Sequence, residues 1–392
     1  MIPRTLFSSD HQLFRESVRS FVATEILPHH SAWEDAGVVP RSVWEQAGAA
    51  GFLCTAVPEE YGGQGGDFLF SLVVAEELAS AGATGPFFHL HSDVVAPYLL
   101  RYGSEQQKSE WLPAMARGTA IGAIAMSEPR GGSDLQRIET TATRSGSDWV
   151  IDGQKVFISN GQLADLVIVA AQTEHGSGAK GVTLFLVEGD REGFTRGRPL
   201  DKIGLRAQDT SELFFTNVRV PGTNVLGEVG RGFAHLMTEL AQERLLQAAR
   251  SISASEGAMA WTIEYTTDRE AFGRPVAAFQ NTQFKLAELT ALIAAQRCFV
   301  DRCVELHLAN ELTAADAAMA KLNAAELHCR VVDECLQFFG GWGYMREYPI
   351  GRAYVDARQT KLAGGSIEVM KLIIARSILP QSVWRREKGG EE

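Results

Sequence analysis

The run Trp149-Val-Ile-Asp-Gly-Gln-Lys-Val-Phe-Ile-Ser-Asn-Gly161 decides how the rest of the chain is read. Its β-branched and aromatic residues form two short groups, Trp149-Val-Ile151 and Val156-Phe-Ile158, on either side of Asp152-Gly153. That pattern predicts a β-hairpin with a primed turn. Strand-length apolar runs continue at 166–171, 182–187 and 212–220, with glycine- and charge-rich turns between them. Residues from about 121 to 228 therefore read as a small antiparallel barrel or sandwich.

On both sides the period lengthens to that of helices. Upstream, Ser9 precedes Phe14, Val18, Phe21, Val22 and Ile26 at helical spacing, and Gln12 three residues on completes a capping-box pattern. Pro28 ends that run. Further helical runs cover 68–81 and 105–117, and a loop with Gly62, Gly63, Gly65 and Gly66 follows Pro58. Downstream of Gly232, helical runs cover 233–267, 280–308, 314–339 and 367–378, lengths that suit an antiparallel bundle. Gly340, Gly341 and Gly343 break the third of these as a loop, and the charged tail at 385–392 is expected to fray. The expected domains are 1–120 (α-helical), 121–230 (small β-barrel) and 231–392 (four-helix bundle), an α+β multidomain chain whose domain interfaces suit a large cofactor.

The 392 residues fit two or three domains at ~100–200 residues each. A hydrophobic content of 45% with 22% charged residues excludes general disorder. A net charge of −11 argues against a nucleic-acid binder, which carries a basic stripe. No run approaches the ~18 apolar residues of a membrane span. The start, Met1-Ile-Pro-Arg-Thr-Leu-Phe7, lacks the pattern of a secretory signal. Five cysteines without a C-x-x-C pair predict reduced, buried thiols in a cytoplasmic compartment. His328 and Cys329 are adjacent, but no second pair has ligand spacing, so no metal is expected.

Four features could carry chemistry. Ser127-Glu-Pro-Arg-Gly-Gly-Ser133-Asp134 offers backbone N–H groups and hydroxyls as an anion or carbonyl cradle; it also reads as a surface turn. Phe157-Ile-Ser159-Asn160-Gly161 ends a strand in a hydroxyl, an amide and a glycine, or simply in a turn. Phe338-Phe-Gly-Gly-Trp-Gly-Tyr344 ends a helix in three glycines, more than a helix cap needs, and glycine lets a backbone approach a ligand closely. Leu236, Leu240, Glu243 and Gln247 share one helical face. A carboxylate on that mostly apolar stripe loses hydration, which raises its pKa and suits a general base. The alternative is a boundary glutamate reaching water or an arginine; Arg244, one residue on, is expected to point elsewhere. The absence of G-x-G-x-x-G, P-loop and G-x-S-x-G patterns argues against the usual nicotinamide enzymes.

Taken in order, these features resemble the acyl-CoA dehydrogenases, FAD-dependent enzymes. The resemblance runs from about residue 10 to 380. It is carried by Pro58-Glu-Glu-Tyr-Gly-Gly63, Ala125-Met-Ser-Glu-Pro129 through Ser133-Asp134, Ile158-Ser-Asn-Gly161, Asp201-Lys-Ile-Gly204, Val218-Arg-Val-Pro221 and Val225-Leu-Gly227. In the last domain it rests on Asp268-Arg-Glu-Ala-Phe-Gly273, residues 337–341 and Leu372-Ile-Ile-Ala-Arg376. The resemblance implies a helical domain, a small β-barrel and a four-helix bundle. It implies α,β-dehydrogenation of an acyl-CoA thioester, with a carboxylate removing the Cα proton and hydride passing from Cβ to the flavin.

Many members carry the base as a glutamate where this chain has Gly364. A smaller group, including long-chain and isovaleryl-type members, carries it at the position of Glu243. The resemblance therefore implies Glu243 as the base and the Gly364 N–H as a donor to the thioester oxygen. Met126, Ser127, Phe157 and Ser159 would line the flavin ring, Phe157 standing where tryptophan is common. Arg269 and Gln280 would bind the FAD diphosphate and neighbouring groups. Gln337 to Gly341, with Gly340 between them, would reach the FAD of a neighbouring subunit in a homotetramer. Ser366 and Glu368 lie in the closing FAD segment, and Ser133, Arg244 and Gly365 would contact the CoA ester. An electron-transfer flavoprotein is the implied acceptor. The alternatives are an acyl-CoA oxidase or flavin monooxygenase on the same fold, or a non-catalytic partner subunit. Ala363 and Gly364, both small, predict a roomy pocket near the thioester for branched or bulky acyl groups.

Overall fold

The computed structural model describes residues 2–174 and 176–384, so the tail at 385–392 lies outside the described residues. The first helix, α1 (Ser9–Phe21), is capped one residue earlier than expected, by Ser8 rather than Ser9. Ser8, still extended, accepts from the His11 N–H, and the Ser8 N–H donates to His11 Nδ1 at 3.1 Å. His11 replaces the expected Gln12 because its ring is buried and held 3.1 Å from Asp67. A π-helical turn (Val22–Ile26) extends α1 up to Pro28. Then follow α2 (His30–Ala36), α3 (Arg41–Ala49) and α4 (Phe68–Ser80). The short α5 (Phe88–Leu90) runs through a second π turn (His91–Val95) into α6 (Ala96–Tyr102), and α7 (Glu105–Ala116) completes the N-terminal helices.

Helix α4 is apolar almost all round and still buries Glu76 and Glu77. Arg4, Arg15 and Arg297 meet Glu76 at 2.8–2.9 Å, and Arg15 and Arg19 meet Glu77. Burial opposes ionisation of Glu76, but the three guanidinium groups win and hold its carboxyl at about 2. A depressed carboxyl stabilises the fold above its unfolded pKa and loses that contribution as pH falls toward 2. Glu76→Gln should cost about 3–5 kcal/mol at pH 7, because it strands buried guanidinium charge; urea unfolding at pH 7 checks this.

Eight strands follow: β1 (Gly122–Ala125), β2 (Thr141–Ser145), β3 (Asp148–Ser159), β4 (Leu166–Gln172), β5 (Val182–Glu188), β6 (Phe194–Pro199), β7 (Thr210–Pro221) and β8 (Val225–Leu226). They form one sheet in the order β6-β7-β3-β2-β4-β5-β8, with β1 beside β4. The expected hairpin at Asp152-Gly153 is absent. β3 is one continuous strand, and the turn lies at Gly146 between β2 and β3. Gly153 marks a bulge instead, since a Cβ there would sit 2.5 Å from Thr140 Oγ1 and 2.7 Å from its Cα. Nor is the sheet wholly antiparallel. β4 follows β3, which is antiparallel to β2, so β4 runs with β2 and pairs parallel with β1. One face of the sheet closes on a core that includes Ala123, Trp149, Val167, Phe185, Phe194 and Leu213. The other face of β4 and β5 packs on Leu99, Leu112 and Met115. Burial on both faces explains their unbroken apolar runs.

Helix α8 (Gly232–Asp268) begins the C-terminal part. A small ladder of β9 (Glu270–Ala271) and β10 (Arg274–Pro275) leads to α9 (Gln280–Leu308), α10 (Ala314–Phe339), α11 (Pro349–Ala357) and α12 (Ile367–Ile378). Arg297 of α9 reaches Ser253 and Glu256, while Lys285 reaches Glu334, so α9 runs against both neighbours. α8 and α10 therefore run parallel, with Tyr265 stacked on Phe339 at 4.2 Å. Residues 340–344 form a 3₁₀ turn rather than a plain loop. Cys54, Cys303 and Cys335 are buried, but Cys298 is exposed and Cys329 half-buried, so the expected uniform burial fails on α9 and α10. All five are free thiols. Among the described residues, no helix is long and apolar enough to cross a membrane, and no three metal-ligating side chains gather.

Candidate active site

Two elements meet at Glu243. The first is α8, which buries Leu236, Leu240 and Gln247 on the face that carries the carboxylate. The second is the segment between α11 and α12. Gly364 (φ +66°) and Gly365 (φ +95°) there take left-handed conformations that favour glycine. Ser366 then caps α12, its side chain accepting from the Val369 N–H. A Cβ built on Gly364 would lie 3.5 Å from Glu243 Oε1 and 3.1 Å from Gln247 Oε1. The space that a side chain at Gly364 would enter is thus bordered by the carboxylate and amide of α8.

Charge around this meeting point is asymmetric. Burial pushes the Glu243 carboxyl above the usual range, against the opposing pull of Arg244 and then Lys321. Arg244 does not point elsewhere: its long side chain bends back and Nε donates to the Gly364 carbonyl at 3.3 Å. Lys321 of α10, fully buried, donates to the Gly365 carbonyl at 2.7 Å. Burial lowers the Lys321 ammonium to about 8. Both carbonyls are thus held by cations, while the N–H groups of Gly364 and Gly365 have no acceptor among the described residues. A half-buried carboxylate of raised basicity beside a free backbone N–H can deprotonate a carbon next to a carbonyl held on that N–H. Glu368 is exposed one turn into α12.

Lys321 belongs to no motif named above. It stands among Ala317, Ala318, Ala320, Ala324, Ala325 and His328, all buried. A lysine inside such a small-residue stripe is the signal that could have found it.

A second surface lies at the ends of β1 and β3. The Ser127 carbonyl accepts from Val156 N at 3.0 Å and the Met126 carbonyl from Lys155 Nζ at 3.2 Å. Lys155 is fully buried and paired with Glu128 at 2.8 Å. Glu128 also accepts from the backbone of Glu139 and Thr140, which closes the loop that carries exposed Ser133. Phe157 sits at a bulge between Lys155 and Ile158 with φ +60° and 69% of its surface exposed. Ser159, half-buried, ends the strand, and Asn160 Nδ2 reaches back to the Gly122 carbonyl. A strained, outward-facing aromatic offers a flat apolar face to a ligand. Met126 packs in the same cluster as Phe233 and Leu236, which ties this surface to α8 two turns before Glu243.

The remaining predicted residues do not join this group. Arg269 lies 26 positions beyond Glu243, about 39 Å along α8 at 1.5 Å per residue. Gln280 opens α9 just after it. Gln337, Gly340 and Gly341 lie at the same end, where Tyr265 Oη donates to the Phe339 carbonyl at 3.4 Å. A Cβ on Gly340 or Gly341 would meet nothing within 4 Å, so no contact inside the chain demands these glycines.

Phe157→Gly should leave folding stability unchanged or raise it by about 1 kcal/mol, because the left-handed strain disappears with little loss of packing. A bound planar ligand should weaken in the same variant. Thermal unfolding without ligand and flavin dissociation measured by fluorescence separate the two effects.

Comparison with known proteins places this geometry. Residues 8–119 match the model of the acyl-CoA dehydrogenase N-terminal domain, 123–218 its middle domain and 230–379 its C-terminal domain. The chain is 52% identical over 381 residues to the mitochondrial long-chain specific acyl-CoA dehydrogenase of Mus musculus, covering 97% of this chain and 89% of that one. The structure is similar to an acyl-CoA dehydrogenase from Geobacillus kaustophilus, with TM-score 0.94, 45% identity and coverage of 96% and 100%. It is also similar to a glutaryl-CoA dehydrogenase from Mycobacterium smegmatis in complex with FADH2, with TM-score 0.89, 31% identity and 97% coverage of each chain.

Proposed function

The chain belongs to the acyl-CoA dehydrogenase family, and from that premise we propose that it oxidises an acyl-CoA thioester to the trans-2-enoyl-CoA with Glu243 as the base. The observation that carries this reading is that the Glu243 carboxylate lies 3.5 Å from where a Cβ on Gly364 would stand, beside a turn whose N–H groups have no acceptor among the described residues. Glu243 takes the pro-reactive Cα proton, and its raised pKa matches it to a weak carbon acid. The Gly364 N–H donates to the thioester oxygen and stabilises the enolate-like charge that develops there. Arg244 and Lys321 hold the turn by its two carbonyls, so this donor is oriented before substrate arrives.

The residues present fit FAD. An exposed, left-handed Phe157, with half-buried Met126 and Ser127 beside it, forms an outward-facing platform. When bound, FAD supplies the acceptor for the Cβ hydride. Met126, Ser127, Phe157 and Ser159 are assigned to its ring, and Ser366 and Glu368 to the neighbouring segment. Ser133, Arg244 and Gly365 are assigned to the CoA ester. Arg269, Gln280, Gln337, Gly340 and Gly341 lie too far from Glu243 to serve the same flavin ring, so they are assigned to the cofactor of a second subunit. That assignment supports a homotetramer or another assembly that brings two chains together.

The domain division at 1–120, 121–230 and 231–392 follows the change from helices to sheet and back. An electron-transfer flavoprotein is the proposed acceptor, and free cysteines support a reducing compartment such as the cytoplasm. Anaerobic titration of the flavin with straight, branched and cyclic acyl-CoAs tests the reading. Bleaching by at least one saturated thioester is expected, and a flavin left fully oxidised by all of them would overturn it. Oxygen uptake without an added acceptor would favour an oxidase instead.

A further inference from the structure

Arg250 follows Glu243 by seven residues on α8, so both side chains leave the same helical face about 10 Å apart along the axis. Other shielded arginines of this chain have oxygen acceptors. Arg297 meets Glu76 and Glu256, and Arg196 meets three backbone carbonyls. Arg250 has no carboxylate partner among the described residues. Its guanidinium is lowered to about 10, and burial alone accounts for it. Of its five N–H donors, one is used, from Nη1 to His89 Nε2 at 2.8 Å. The group lies over the Phe87 ring, 5.1 Å from its centroid.

Two imidazoles flank it. His328 of α10 is buried with Nδ1 lacking a partner among the described residues, and burial, then the Arg250 charge, hold its imidazole neutral down to about 4. His89 is likewise held neutral, which lets Nε2 accept from Arg250. An unpaired cation beside two neutral imidazoles, one of them with a spare nitrogen, is a site short of one anion.

The position of this site relative to Glu243 gives the anion its identity. The segment that carries α5 and α6 runs antiparallel along this face of α8. His89 lies beside Arg250, the Asp93 carbonyl accepts from Gln242 at 2.7 Å, and Arg101 meets Glu239 at 2.6 Å. Glu243, Arg250, His89 and Leu90 all keep partial accessibility along this face. A chain that begins at Glu243 and runs along this face of α8 reaches Arg250.

We propose that Arg250 receives a carboxylate at the far end of the acyl group, so that the preferred substrates are ω-carboxyacyl-CoA thioesters, the mono-CoA esters of dicarboxylic acids. The span of about 10 Å equals roughly nine bonds of extended chain, since three bonds cover ~3.3–3.6 Å. That places the second carboxylate in medium-length diacids. This inference rests on the acyl-CoA dehydrogenase reading of Glu243 and refines it. A methyl-ended chain of equal length would leave the guanidinium desolvated and unpaired, whereas the carboxylate gains a charge-assisted hydrogen bond.

The test measures dissociation constants calorimetrically for two C10 thioesters, one ending in carboxylate and one in methyl, on the flavin-loaded wild type and on Arg250→Leu. Flavin bleaching is recorded in parallel. The wild type should bind the carboxylate-ended ester at least tenfold more tightly, and Arg250→Leu should reverse the order. Equal or tighter binding of the methyl-ended ester by the wild type, or no binding of either, overturns the proposal. So does an unchanged ratio in Arg250→Leu. The wild-type ratio decides alone if that variant does not fold. Tight, carboxylate-dependent binding without bleaching would leave the anion site standing and remove the dehydrogenase reading instead.

Discussion

Glu243→Gln should lose turnover by more than the ~10²–10⁴-fold typical of a proton-transfer group, because among the described residues no other carboxylate comes near the Gly364 turn. The amide keeps the size of the side chain and loses only the basic oxygen. Acyl-CoA should still bind, and the flavin should stay oxidised on mixing. Stability provides the control. The Glu243 carboxyl is raised in the folded chain, so its contribution to folding is present below the unfolded pKa and is lost as pH rises through the folded one. At pH 7–8 the ionised group therefore costs stability, and Glu243→Gln should unfold at the same or a higher urea concentration than wild type. In the wild type, kcat/KM should rise with pH on an acid limb displaced above the ordinary carboxylate range, and that limb should vanish in the variant. Stopped-flow bleaching and urea denaturation on the same samples check both. Near-normal bleaching by Glu243→Gln would sink the assignment.

Why Glu243 could be read from sequence while Lys321 and Arg250 could not follows from what each depends on. The spacing of Leu236, Leu240 and Gln247 puts Glu243 on a mostly apolar face, which α8 does bury, while its role as base came only from the family resemblance. The bounds of α10 and α12 were legible from punctuation: Gly340 closes α10, and Gly365 and Pro380 bracket α12. The Asp152-Gly153 hairpin failed because the glycine answers to Thr140, a residue on another stretch of chain, and no local rule contains that contact. Ser8 rather than Ser9 caps α1 because His11 also packs on Asp67 and Phe70. The role of Lys321 depends on a carbonyl 44 positions away, and that of Arg250 on the absence of a carboxylate partner. Such absences become visible only when all neighbours are in place.

The geometry at Gly364 makes a stronger prediction, that the base can be moved. A side chain at 364 starts 3.5 Å from Glu243 Oε1, so glutamates at 243 and at 364 compete for one volume. Gly364→Glu in the wild type should therefore lower activity at least tenfold. Its side chain meets Gln247 and Glu243, and two adjacent carboxyls cannot both ionise cheaply. Glu243→Gly alone should be as inactive as Glu243→Gln. The double variant Glu243→Gly with Gly364→Glu should recover at least tenfold over Glu243→Gly, since the new carboxylate enters the space the old one left. It should remain below wild type, because φ +66° costs a non-glycine residue about 1–3 kcal/mol and disturbs the N–H that binds the thioester oxygen. Arg244 and Lys321 grip the Gly364 and Gly365 carbonyls, so the turn keeps its place during the exchange. Anaerobic bleaching rates for the four proteins with one acyl-CoA decide the matter. Activity that falls additively across the two substitutions would mean that positions 243 and 364 do not address the same proton.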